Sequence, residues 1–206
     1  MSPRQPTLCP TPLAELKPTQ ITVGFREVAE KRKKFREQTE EHGEEFLGRH
    51  MIPTVLGPKK RHYVIDNHHL ALALLKDGVK SVLVTVAVDL SSLSRGSFWR
   101  YLDNKSWCHP YDEEGARTGF DAIPGSLDKM KDDPYRSLAG DLRHEGGFAK
   151  DTTLFSEFLW ADYLRQRIKP KALAKDYQGA LKRAVALAAA KEANFLPGWC
   201  GPDPID

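Results

Sequence analysis

The chain has 206 residues, enough for one good hydrophobic core, while two equal domains would each be marginal. A hydrophobic fraction of 40% and a charged fraction of 29% are ordinary for a folded globule and exclude a wholly disordered or collagen-like chain. Its 31 basic residues face 28 acidic ones, a net charge of +3, so it is no polycation.

The first twenty residues carry five prolines and no apolar run from which a signal-peptide core could be drawn. No later stretch approaches the ~20 apolar residues of a membrane span. With Cys9, Cys108 and Cys200 at neither a metal spacing nor a disulfide pattern, a reducing, cytoplasmic setting without membrane contact is expected.

Residues 1–12 are proline-rich and expected to be loose, with order beginning near Leu13. Ile21, Val23 and Phe25 alternate as a short strand would, and Gly24 marks a bend before a charged, exposed helix over 26–45. Its densest basic run, Lys31 to Lys34, is followed by Glu37, Glu40, Glu41, Glu44 and Glu45 and reads as a solvated helix face rather than a nucleic-acid patch.

Met51 to Leu56 is an apolar stretch closed by Gly57-Pro58, and Arg61 to Ile65 is a β-branched-rich strand that arrives at Asp66. From His69 the leucines and alanines read as a short buried helix stopped by Asp77-Gly78. Ser81 to Leu90 is the clearest strand. Phe98, Trp99, Tyr101 and Trp107 follow without a clear period and are expected in a core rather than as a stacking platform for bases. Asp133-Pro134 opens a helix that stops at Gly146-Gly147, Phe155 to Leu164 repeats with helical spacing, and Lys171 to Glu192 reads as one alanine-rich helix.

Chemistry concentrates in Lys59 to His69. A strand ending in Asp66 and a helix starting at Asn67-His68-His69 bring free backbone N–H groups, the positive helix end and two imidazoles together, a geometry suited to an anionic phosphate. Asp66 can bind Mg²⁺ or accept a hydroxyl proton, and Lys60, Arg61, Asn67, His68 and His69 are the candidate phosphate contacts. The bland reading is a helix cap at Asp66 or Asn67 with two polar first-turn histidines. Zinc is a third, weakened because adjacent histidines project about 100° apart on a helix.

Leu16-Lys17-Pro18-Thr19-Gln20, then Val23-Gly24-Phe25-Arg26-Glu27-Val28, then Val64 to Ala71, in this order, resemble the N-terminal domain of the ParB/sulfiredoxin superfamily. Within it the chain is most similar to the ParB-like nuclease group, which carries a similar Asp-x-His-His and later segments like Asp133 to Leu138 and Phe155 to Asp162. The resemblance implies an α/β fold: a small mixed sheet with helices over 13–125, and a helical extension over 126–206 packed on the same core.

His68 stands where sulfiredoxins have their cysteine, and the arginine box of partition proteins is missing. Free-serine kinases are closer, with an Asp-Gly-His-His-Arg-like segment. By that resemblance Asp66 would orient Mg²⁺ or activate a hydroxyl, and His68 and His69 would contact the transferring phosphate of ATP or ADP. Leu70 replaces the kinase arginine and Gln20 the expected glutamate. Glu27 is then the nearest carboxylate, and Lys60 or Arg61 the substitute charge.

The expectation is a nucleotide-dependent phosphotransferase or hydrolase with a small hydroxylated acceptor. A metal-dependent nuclease or ParB-like DNA binder is the alternative, although residues 120–170 show no helix pair joined by a short glycine turn. A nucleotide sensor without turnover is the third reading.

Overall fold

Six strands and seven α-helices are found among the described residues, 8–42 and 51–202, of the computed structural model. They fall into two compact units, Met1–Asp132 and Asp133–Asp206. None of the described helices is long and apolar enough to cross a membrane.

The first unit is built on a four-stranded mixed sheet of order β1-β5-β3-β4, with β1 (Leu8–Pro12), β3 (Ile52–Gly57), β4 (Arg61–Val64) and β5 (Ser81–Asp89). β5 runs parallel to β3 and antiparallel to β1, and β3 runs antiparallel to β4. This is the α/β architecture expected. The N-terminal expectation is corrected from Leu8 onward, where the segment forms a strand; residues 1–7 lie outside the described residues. Pro10 and Pro12 are tolerated because β1 is an edge strand, where a missing N–H can face away from the ladder.

α1 (Phe25–His42) and α2 (His68–Lys76) pack on the sheet, and the far end expected for the first, 43–45, lies outside the described residues. Leu72 and Leu74 of α2 share a core with Leu13, Leu16, Ile52 and Val84, all fully buried. Each such side chain contributes about 1.5–3 kcal/mol by leaving water. A second cluster holds Phe98, Trp99 and Leu102, carried by α3 (Arg95–Asn104), with Val55, Leu90 and Cys108. Helical order in this aromatic segment was not evident from the sequence, although Ser94 caps it by accepting the Ser97 N–H at 3.2 Å. Burial pushes the Cys108 thiol up to about 12, which keeps it unreactive. A two-residue strand β2 (Thr22–Val23) pairs in parallel with β6 (Lys131–Asp132).

The second unit is helical, with α4 (Pro134–His144), α5 (Ser156–Arg165), α6 (Pro170–Lys175) and α7 (Tyr177–Ala189) around its own core. The single helix expected over 171–192 is broken at Asp176, whose extended backbone and carboxylate, accepting the Gly179 N–H at 2.9 Å, start a new helix. The connection from α4 to α5 runs from Glu145 to Phe155, far longer than the 3–4 residues of a DNA-binding helix-turn-helix. Within this unit the Leu196–Trp199 segment folds back on α5, where Trp160 Nε1 donates to Pro197 O at 2.9 Å. Arg165 bridges Asp133, at 2.5 Å, and Asp162, tying the two segments whose resemblance to the family was noted above.

Candidate functional site

At the end of β4 the chain turns at Asn67, whose left-handed backbone (φ 63°) starts α2. Asparagine tolerates that conformation better than other residues with a Cβ. Asp66 Oδ1 accepts the Asn67 N–H at 2.7 Å, and both residues are exposed. The Asn67 side chain does not cap the helix, so its first-turn N–H groups keep the positive end of α2 beside the Asp66 carboxylate.

His68 and His69 behave differently from their exposed neighbours. They are 5% and 8% exposed and turn inward onto the segment that follows Lys17-Pro18. Thr19 donates its backbone N–H to His68 Nε2 at 3.2 Å and its hydroxyl to Val64 O at 2.7 Å. His68 Nε2 therefore acts as an acceptor and carries no proton in this arrangement.

Gly24 donates its N–H to His69 Nε2 at 2.9 Å, while Glu27 Oε2 lies 3.2 Å from the same nitrogen. That nitrogen has one in-plane position for a hydrogen: bare, it accepts from Gly24; protonated, it donates to Glu27. With Gly24 bound, Glu27 Oε2 is buried without a hydrogen-bond partner, and Lys31 Nζ approaches the other oxygen at 3.4 Å. The Gly24 contact is the formed hydrogen bond, and the Glu27 carboxylate stands at ion-pair distance from the same nitrogen.

Gln20 is also buried close by in the chain, but its amide donates to Thr22 O at 2.9 Å and so is committed locally. A third segment joins here: His109 donates its N–H to Thr19 O at 2.9 Å and stacks its ring on Tyr111, centroids 4.2 Å apart. Thr19, Gly24 and His109 were not among the candidates read from the sequence.

Lys60 and Arg61 are not brought to this point. They stand at the β3–β4 turn, where Arg61 pairs with Gly57, and β4 carries the chain away from them at about 3.3 Å per residue before Asp66 is reached. Asp89, at the far end of β5, feels Lys60 instead: hydrogen bonds from Ser91, and secondarily the Lys60 charge, hold its carboxyl below the ordinary value. The Glu27, Asp66, His68 and His69 positions are therefore served by α1, α2 and the 19–24 segment, and the phosphate contacts expected from Lys60 and Arg61 are at another part of the sheet.

Several basic residues of α1 have acidic partners. Lys31 faces Glu27, Lys33 faces Glu37 at 3.8 Å, and Arg32 and Arg36 both bind Asp77.

Comparison with known proteins places the chain in a family. Residues 9–166 match the family model described as "Putative ParB-like nuclease". A solved structure, protein Atu1540 from Agrobacterium tumefaciens, is 46% identical, covers 97% of this chain and 100% of its own, and superposes with a TM-score of 0.91. Among functionally curated proteins there is no match. With its mixed sheet, its strand-turn-helix at Asp66–His69 and a family match over most of its length, the chain belongs to the ParB-like nuclease family of the ParB/sulfiredoxin superfamily.

Proposed function

We propose that the chain is a nucleotide-dependent phosphoryl-transfer enzyme that moves a phosphate of ATP or ADP to a small hydroxylated acceptor or to water. The observation that carries this reading is the Glu27–His69 pair, at 3.2 Å, beside an uncapped helix N-terminus. Glu27 takes the acceptor proton, directly or through His69. The first-turn N–H groups of α2 supply the fixed dipole toward which phosphate charge is drawn. His68 and Thr19 hold the segment in place.

Asp66 is an exposed carboxylate of the kind that takes part in holding Mg²⁺, which commonly keeps several waters and is bound by one or two carboxylates together with substrate phosphates. Such an ion, when bound, neutralises phosphate charge; orientation of the nucleophile and removal of its proton rest with the protein groups.

The family's description favours a second reading, a metal-dependent nuclease acting on the same phosphate chemistry. A nucleic-acid substrate calls for an unpaired basic stripe, whereas in the run best suited to it Lys31 and Lys33 pair within α1 and Arg32 pairs with Asp77. A thermal-shift panel of ATP, ADP, CTP and GTP with Mg²⁺, followed by product analysis, tests the proposal. Saturation at ~100 times Kd should add about 2.7 kcal/mol of stability. Released phosphate or a phosphorylated acceptor is the expected product. Stabilisation without turnover would make the chain a sensor, and cleavage of DNA without nucleotide turnover would replace the proposal with the nuclease reading.

A further inference from the structure

On the face of the first unit formed by α1 and the C-terminal end of α2, two arginines converge on one carboxylate. Arg32 reaches Asp77 Oδ1 through Nε at 3.0 Å and Nη2 at 2.8 Å. Arg36 reaches the same oxygen through Nε at 3.1 Å and Nη2 at 2.5 Å. Asp77 Oδ2 is buried and has no hydrogen-bond partner.

Four N–H groups on one oxygen exceed its two lone pairs, and a guanidinium fork ordinarily spans two acceptor oxygens. Arg32 alone suffices to neutralise Asp77, whose side chain is 5% exposed; Arg36, at 60%, is the surplus fork. Asp77 is firmly ionised: burial pushes its carboxyl up, but hydrogen bonds from Arg32 and Arg36 outweigh it and leave it below the ordinary value.

The surplus charge opens on a groove of about 660 Å³ lined by the apolar Phe35 and by Arg32, Arg36, Thr39, Lys76, Asp77 and Gly78. Lys76, with Nζ 4.3 Å from the Phe25 ring centroid, adds a second positive charge. Glu37 lines the neighbouring groove and faces Lys33, so it does not cancel this excess. Among the described residues, two guanidiniums and one ammonium against one carboxylate match a ligand with two or more negative charges and paired oxygens.

We propose that this groove is an anion site for a free phosphate or pyrophosphate group of a small molecule, separate from the Asp66–His69 segment. Arg36 turns its fork from Asp77 to two phosphate oxygens, Arg32 remains on Asp77, and Lys76 supplies the balancing charge. The site stands independently of the phosphoryl-transfer reading.

The test follows the Arg Nε–Hε resonances of the full chain by NMR during titration with inorganic pyrophosphate, ionic strength held constant with chloride. Saturable shifts of Arg32 and Arg36 are expected. Arg36→Gln, on an exposed helix face, should weaken the apparent affinity by about tenfold or more, the loss of one bidentate charge-assisted contact. Asp77→Asn should tighten it, because the competing carboxylate charge is gone, and Asp66→Asn should leave it unchanged. Shifts reproduced by chloride, affinity indifferent to Arg36→Gln, or co-sedimentation with phosphatidic-acid vesicles in the absence of pyrophosphate binding would each overturn the proposal.

Discussion

Glu27 Oε2 and Gly24 N–H compete for one nitrogen, His69 Nε2, at 3.2 and 2.9 Å. Removing the carboxylate ends this competition, so Glu27→Ala should raise the protection of the Gly24 amide. Hydrogen exchange read at Gly24 at a single pH, where the intrinsic rate is the same in both proteins, checks this, and identical protection in the two would remove the competition.

His68 has a different task, because the Thr19 N–H it accepts is buried. His68→Ala leaves that donor unsatisfied, at a cost of about 1–3 kcal/mol. Chemical denaturation should register the loss. Amide exchange should accelerate at Thr19 in this variant and at Gly24 in His69→Ala.

Gly57 precedes the β3–β4 turn beneath two aromatic rings. A Cβ there would come within 2.5 Å of Tyr63 Cε2 and 2.7 Å of Phe98 Cζ. Gly57→Ala should cost about 1–3 kcal/mol through overpacking. An unchanged midpoint would mean that the rings shift freely.

Asp77 makes the first unit acid-sensitive. Its folded carboxyl lies below the ordinary value, so the folded state binds the proton less readily than the unfolded chain. The resulting stability is fully present above the unfolded value of about 4 and is lost as pH falls through the lower folded one. Urea midpoints should therefore drop below pH ~4 in the wild type. Asp77→Asn should flatten that drop and lower the neutral-pH stability by about 1.5–3 kcal/mol, the range for hydrogen bonds to charged groups.

What was legible in the sequence was local. Val64 to Lys76 declares a strand, a turn and a buried helix through its alternation, its Asp-Asn pair and its leucines, and the positions of Asp66, His68 and His69 follow from it. The Asp133-Pro134 start of α4 is equally local. What was hidden depends on distant partners. β1 exists because residues 8–12 meet β5, and prolines mask that pairing. The candidate phosphate contacts His68 and His69 carry no local sign of the buried N–H groups they accept, those of Thr19 and Gly24, 49 and 45 residues away. Lys60 and Arg61 adjoin the motif in sequence, yet an extended strand separates them from it. Asp176 breaks an alanine-rich run because its carboxylate reaches the Gly179 N–H, a local signal masked by the helix-forming residues around it.

The central claim is phosphate transfer through Glu27 and His69, and the direct measurement is phosphate release or acceptor phosphorylation from Mg²⁺-ATP and Mg²⁺-ADP. Wild type, Glu27→Gln and Asp66→Asn are compared, with folding of each verified. The account predicts turnover by the wild type, a fall of roughly 10²–10⁴-fold in kcat for Glu27→Gln as an acid–base group is removed, and loss of turnover in Asp66→Asn. Equal rates in all three proteins would contradict it.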